Sequence, residues 1–424
     1  MSKIQFSKTN IWIVRVFIVC GFLFITVFPK YFHFFNWHIP EVYPFLDLKG
    51  RLAHIEANRL GFDTYAFNNP LDPLKRINDK PSISLLLGHI NIGQNDFLWI
   101  GCLLCISTII ISLSLIRNSN IIFLIGQALC IFNPNTLFAI ERANDDLLIF
   151  IMTFTIPYLI AKKSQFFNYL YLSIVFILGA IKYYPLSLFS LILSKDVKTN
   201  WKYYRKRIPI AISIWFILFG PEFFLLRENL PLNKTNINAF KLLDLLFLFK
   251  TSEDYDIKFF SGSYLHFILI MVFICIIICF NFIIRESSIN NKFLSIHINS
   301  EEKLLFLCGS SLLLFCYTLG GNSGYRMIHS IFFLPLIIKT INLSRLLNKS
   351  NLYTKLNTFC FLLLVLSNWI GITIDINSSF FPDLFLKIKI ISDLLLFLCI
   401  GVISLDLIDT DTFNNVVTKK LSSG

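Results

Sequence analysis

Most of this chain avoids charge, so the residues that carry it are the first candidates for chemistry. The stretch "AIERANDDLLIF", positions 139–150, sets Glu141, Arg142, Asn144, Asp145 and Asp146 between two apolar runs. Asp47 in "FLDL", Lys182 in "GAIKYYP", and Arg326 with His329 in "GGNSGYRMIHS" stand in similar settings. Ionisable groups at a membrane edge are costly to keep and are functional candidates by default. A carboxylate there can accept a proton from a hydroxyl, and guanidinium or ammonium groups can hold a phosphate. Each also has a local reading. Asn144 suits a helix N-cap, with Asp145 and Asp146 in the first turn against the positive end of the helix dipole. Asp47 suits the first turn of an amphipathic helix, "LDLKGRLAHIEANRLGF", closed by Gly61. Lys182 and Arg326 near span ends suit snorkelling, and on a helix starting near Gly324 the pair Arg326 and His329 shares a face. None of these local roles accounts for Glu141 and Arg142.

The elements that must position these residues follow from composition. The chain has 424 residues, 55% hydrophobic and 15% charged, against roughly 25% charged in a soluble domain. Apolar runs recur along its whole length, which predicts one all-α polytopic membrane unit, 1–424, without a separate soluble domain. The run "IWIVRVFIVCGFLFITVF" is followed by Pro29 and Lys30 rather than a small-residue cleavage site, so it reads as an uncleaved anchor with a cytoplasmic N-terminus. Further spans are expected near 97–116, 120–138, 146–161, 168–181, 184–194, 208–226, 263–284, 303–319, 325–343, 355–374 and 388–406. That makes a bundle of roughly ten to thirteen crossings. The 168–181 and 184–194 pair reads as a hairpin turning at "KYYP", with Pro185 opening the returning helix.

Two polar segments, 29–95 and 227–262, are expected as external loops. The first carries the amphipathic helix, and the second holds an apolar island at 239–249 suited to the membrane surface. The net charge of +12 would allow nucleic acid as a partner, but the basic clusters, densest in "SKDVKTNWKYYRKR", fall between spans in the positive-inside pattern. That pattern points to a multi-pass protein of the inner (plasma) membrane with both termini cytoplasmic and no nucleic-acid partner. The ten cysteines lie almost entirely in apolar runs, and Cys102 and Cys105 lack zinc-spaced partners, so packing is their expected role.

The order of these motifs resembles integral-membrane glycosyltransferases of the GT-C type, in particular the bacterial polyprenyl-phosphate-mannose-dependent alpha-mannosyltransferases. The family order is an acid after the first span, then G-x-D-x-Y, E-R-G-N-x-D and K-x-Y-P. Here the residues read "FLDL", "GFDTY" at Gly61, Asp63 and Tyr65, "ERANDD", and "KYYP". The catalytic subunit of the GPI first-mannose transferase is a more distant likeness, and the second acid of its first-loop pair falls on Asp47. The likeness covers the first half of the chain best. Two departures stand out: Ala143 replaces the usual glycine of E-R-G-N, and Lys80-Pro81 follows Asp72-Pro73 where relatives have Y-P.

The resemblance implies an inverting, single-displacement transfer of a hexose, mannose in the relatives, from a polyprenyl-phosphate donor to a glycolipid or glycan acceptor on the outer face. Asp47 would be the general base. Arg142, Lys182, Arg326 and His329 would meet the donor phosphate, while Glu141, Asn144, Asp146 and Tyr184 would orient those cations or bind sugar hydroxyls. Tyr43, Tyr65 and Tyr183 are further candidates for sugar-stacking walls, or for boundary anchors. No cofactor is required, although Asp47 with other loop acids could hold a divalent metal. Three rival readings remain: a polymerase or ligase using diphosphate-linked glycans, a secondary transporter, and a non-catalytic scaffold.

Overall fold

The computed structural model describes residues 8–27, 45–65, 68–76, 78, 82–162, 164–194, 201–229, 242, 264–287, 299–319, 324–346, 352–376 and 382–421. Among them the chain is helical and no strand occurs. In order the elements are α1 (Lys8–Val27), α2 (Leu46–Arg59), 3₁₀ helices Ser82–Ile90 and Gln94–Asp96, α3 (Phe97–Ser114), α4 (Ile121–Ile131), α5 (Pro134–Arg142), α6 (Asp145–Ala161) and α7 (Gln165–Ile181). A 3₁₀ helix Tyr184–Leu193, α8 (Trp201–Asn229), α9 (Tyr264–Ser287), α10 (Ser300–Leu319), a 3₁₀ helix Gly324–Phe333, α11 (Leu334–Leu346), α12 (Leu352–Ile376) and α13 (Pro382–Leu421) complete it. The expected loop 227–262, beyond the end of α8 and Leu242, lies outside the described residues, as do Tyr43, Lys80-Pro81 and "GGNS" at 320–323.

Among the described residues four helical stretches are long and apolar enough to cross a membrane: Gln94–Ser114, Ile121–Arg142, Arg326–Leu346 and Leu384–Ile408. Their surroundings reverse the pattern of a water-soluble fold. Trp12, Phe17, Trp99, Ile110, Ile122, Ile217 and Phe282 are exposed, whereas Asp146, Lys182, His329, Asn357 and Asp393 are buried. Apolar exposure on this scale is untenable in water and natural in hydrocarbon, so the chain is an all-α membrane protein. Polar groups that lipid cannot satisfy turn inward and pair there.

The interior is built around α10, which packs against both later 3₁₀ helices as well as α6, α11 and α13. Phe306 meets Phe333 at 4.8 Å between ring centroids, and Phe150 of α6 stacks on Phe332 at 4.6 Å. The expected 120–138 span falls within the Ile121–Arg142 stretch, which carries a local break between Ile131 and Pro134. Asn133 caps a new helix by accepting from Thr136 N–H at 3.0 Å, and Pro134, which has no N–H to lose, sits at its start. The short α5 created by this break carries Glu141 and Arg142 on its last turn.

The expected amphipathic helix is present as α2. Gly61, at φ 83°, supplies the left-handed residue after it, and the Phe62 N–H closes back on the Ala57 carbonyl at 3.0 Å. A smaller apolar cluster of Leu48, Leu52, Ile55 and Ala143 seats α2 on the end of α5. The expected hairpin is also present: α7 ends at Ile181, Pro185 opens the 3₁₀ helix, and Tyr171 OH donates to the Leu188 carbonyl at 2.7 Å across the pair.

Candidate functional site

"ERANDD" is a helix-to-helix junction. Arg142 ends α5, Ala143 turns in the left-handed region at φ 44° and ψ 48°, and Asn144 caps α6 by accepting from Asp146 N–H at 3.2 Å. A left-handed alanine is strained by about 1–2 kcal/mol, which accounts for glycine as the residue that suits this position. Ala143 compensates in part by packing its methyl into the α2 cluster. The Phe45 N–H donates to the Glu141 carbonyl at 2.9 Å, so the entry of α2 is tied to the exit of α5. Asp47 is thereby carried to Arg142 across 95 residues of sequence.

Three donors converge on Asp47. Arg142 Nη2 lies 2.6 Å from Oδ1 and Arg76 Nη1 3.4 Å from the same oxygen, while Asn144 Nδ2 donates to Oδ2 at 2.9 Å. Burial by itself raises the Asp47 carboxyl. The Arg142 charge, the hydrogen bonds from Arg142 and Asn144, and the Arg76 charge outweigh it and hold the group below its usual value. An ionised carboxylate has about four lone-pair sites, so three donors leave one. The side chain keeps 19% of its surface exposed, enough to meet a hydroxyl.

Arg76 was not singled out from sequence. Its Nε bonds Asp72 Oδ2 at 2.7 Å and its Nη2 bonds Asp72 Oδ1 at 3.1 Å, a two-pronged contact that fixes the guanidinium. Gly50 makes room for it: a Cβ there would lie 2.0 Å from Arg76 Nη2. The acid-to-base spacing of four in "DPLKR" was the available signal.

Asn144 joins this cluster to a second one. Its Oδ1 accepts from Lys182 Nζ at 2.7 Å, and Lys182 also pairs with Asp146 Oδ2. The other oxygen of Asp146 accepts from Tyr184 OH, whose oxygen lies 3.1 Å from His329 Nε2. Arg326 Nε stands 4.0 Å from Asp146, with its guanidinium 4.9 Å above the Tyr184 ring. A continuous polar path therefore runs Asp47, Asn144, Lys182, Asp146, Tyr184, His329.

Eight of the nine candidate residues lie on or against this path: Asp47, Arg142, Asn144, Asp146, Lys182, Tyr184, His329 and Arg326. Glu141 departs from expectation, contributing its carbonyl; its carboxylate makes no hydrogen bond or ion pair among the described residues. Tyr184 and His329 are fully buried, so Tyr184 offers no open sugar-stacking wall. Tyr65 is tied by its hydroxyl to Glu222 Oε1 at 3.1 Å, and Tyr183 packs near Phe315. The reason that Arg326 and His329 align so well is helical period. The Gly324–Phe333 segment is 3₁₀, in which residues three apart eclipse.

No protein-family model, no curated protein and no solved structure matches the chain.

Proposed function

We propose that the chain is a GT-C-type membrane glycosyltransferase that moves a hexose from a polyprenyl-phosphate donor to a glycolipid or glycan acceptor on the outer face of the plasma membrane. The observation that carries this reading is the convergence of Asp47, Arg142, Arg76 and Asn144, drawn from α2, the α5–α6 junction and the segment after α2. One partly exposed carboxylate is set beside two guanidinium groups. That pairing suits a base for the acceptor hydroxyl and cations for the departing phosphate.

In the proposed step the acceptor oxygen forms its bond to the anomeric carbon as the bond from that carbon to the donor phosphate oxygen breaks. The acceptor proton passes to Asp47, and the polyprenyl phosphate leaves with the bonding electron pair. Inversion follows from the single displacement. A donor phosphate drawn to Arg142 and Arg76 would withdraw positive charge from Asp47, and its basicity would rise when substrate is bound. Lys182, Asp146 and Tyr184 hold Asn144 in the orientation that donates to Asp47. Positioning by side-chain cations supplies the phosphate charge balance without a metal.

The transporter reading keeps one observation in its favour, since a buried Asp146–Lys182–His329 network also suits a proton relay. Mass spectrometry of lipid-linked and envelope glycans separates the two. Cells lacking the protein should lose one sugar, the intact chain should restore it, and Asp47→Asn at matched membrane abundance should not, with a loss on the order of a hundred-fold to ten-thousand-fold in transfer. An unchanged glycan profile on deletion would defeat the transferase and move the relay ahead.

A further inference from the structure

One cation of α2 has no role in that step. Arg51 follows Asp47 by a helical turn, and the stripe Asp47, Gly50, Arg51 and His54 faces the segment that follows α2. Gly50 lies against Asp72 and Arg76, Asp47 reaches Arg76, and His54 Nδ1 meets Asn69 Nδ2 at 3.1 Å. Arg51 is 8% exposed, and its Nη1 and Nη2 are both buried without a hydrogen-bond partner among the described residues. Thr64 Oγ1, in a residue 1% exposed, is buried without a partner too. The Tyr65 phenol is near enough to feel the Arg51 charge. A guanidinium stays charged and offers five donors, so leaving its outer nitrogens buried and unmet is among the costliest states for a side chain. Arg76, Arg142, Lys182 and Lys389 each meet a carboxylate.

We infer that Arg51, with Thr64, forms a subsite for an anionic group, of phosphate or carboxylate type, carried by the acceptor. The assignment to the acceptor rests on the transferase reading. Residues four apart on a helix are displaced by about 6 Å, so the acceptor presents its anion roughly one helical turn from the hydroxyl that meets Asp47. A neutral acceptor of the same shape leaves the guanidinium unpaired and is rejected on that ground. Glu222 of α8 accepts from Tyr65 OH at 3.1 Å, from Ser82 N–H at 2.5 Å and from Ser82 Oγ at 3.0 Å.

The test uses the full chain in phosphatidylcholine nanodiscs, with inorganic phosphate as probe and thermal unfolding plus calorimetric binding as readouts. Arg51→Met keeps the aliphatic stem and removes the orphaned charge, so in phosphate-free buffer it should unfold a few degrees higher than the intact chain. It should also bind phosphate on the order of tenfold to a hundredfold more weakly at one site, a site that Arg142→Gln retains. Arg51→Lys keeps the charge and should bind with intermediate affinity, which keeps the test open if the methionine variant does not fold. Equal phosphate binding by the Arg51 variants and the intact chain overturns the proposal. Stabilisation that depends on Arg51 and on phosphatidylglycerol in the discs, but not on soluble phosphate, puts a bilayer headgroup there and overturns the acceptor assignment. Because the readout is binding, an unchanged glycan profile alongside Arg51-dependent phosphate binding defeats the transferase and leaves the anion subsite standing.

Discussion

A carboxylate held by two guanidinium groups and an amide stays ionised in acid that would protonate a free aspartate. The Asp47 carboxyl lies below its ordinary value of 3.8, and Asp72, bonded twice by Arg76, moves the same way. For such groups the contribution to stability is complete above the unfolded-state value and is lost as pH falls through the folded-state value. If the chain is the proposed transferase, the acid limb of its activity without bound substrate should therefore fall below pH 3.8. Arg76→Gln removes one of the lowering charges and should move that limb upward, read from kcat/KM across an acid series. An unmoved limb would mean that another group titrates there.

Elements decide which of these charges meet. Helix α2 passes close to the segment carrying Asp72 and Arg76 because position 50 has no side chain. Alanine is the better helix former by about 1 kcal/mol, so Gly50→Ala should leave α2 intact or firmer. Its Cβ nevertheless would lie 2.0 Å from Arg76 Nη2 and 2.8 Å from Asp72 Oδ1, so the Asp72–Arg76 pair must shift away from Asp47. The expected outcome is a folded protein whose acid limb shifts in the direction given by Arg76→Gln, checked by thermal unfolding and the pH profile together. At the other end of the path, the 3₁₀ period of Gly324–Phe333 stacks Arg326 and His329 toward Asp146 and Tyr184. An α-helical period would rotate the pair apart by about 60°.

Across the whole molecule, Asp146 is the joint between α6, the 181–193 hairpin and the 3₁₀ helix before α11. Asp146→Asn leaves Lys182 buried without its counter-charge and should cost about 3–5 kcal/mol, whereas the double variant Asp146→Asn with Lys182→Met should recover much of that stability. On the transferase reading, activity should fall in the single variant, where Lys182 loses the carboxylate that holds it against Asn144, and be absent in the double variant, where Asn144 loses Lys182 itself; thermal unfolding and transfer measured on the same preparations check this. The proposed topology has its own test. Lys75, in the segment after α2, and Lys162, after α6, are both exposed. Lys75→Cys should react with a membrane-impermeant maleimide from outside intact cells, and Lys162→Cys only after permeabilisation. Reversed labelling would turn the site inward.

The sequence by itself determined that the chain is helical and membrane-embedded, because apolar runs of bilayer length have few other fates. It also determined the cap at Asn144, the left-handed stop at Gly61 and the turn at Pro185, since each rests on the backbone chemistry of one or two residues. Its charged outliers were legible as candidates because hydrocarbon makes stray charge expensive. Only the tertiary structure decided who pairs with whom. Arg76 entered the site through a glycine on another element, Glu141 gave a carbonyl in place of a carboxylate, and the span at 120–138 broke at Asn133-Pro134. Arg51 acquires meaning only through Nη1 and Nη2, which are buried without hydrogen-bond partners among the described residues. Such pairings depend on contacts between residues far apart in the chain, where the physical cost of a buried charge is set by neighbours that no local spacing records.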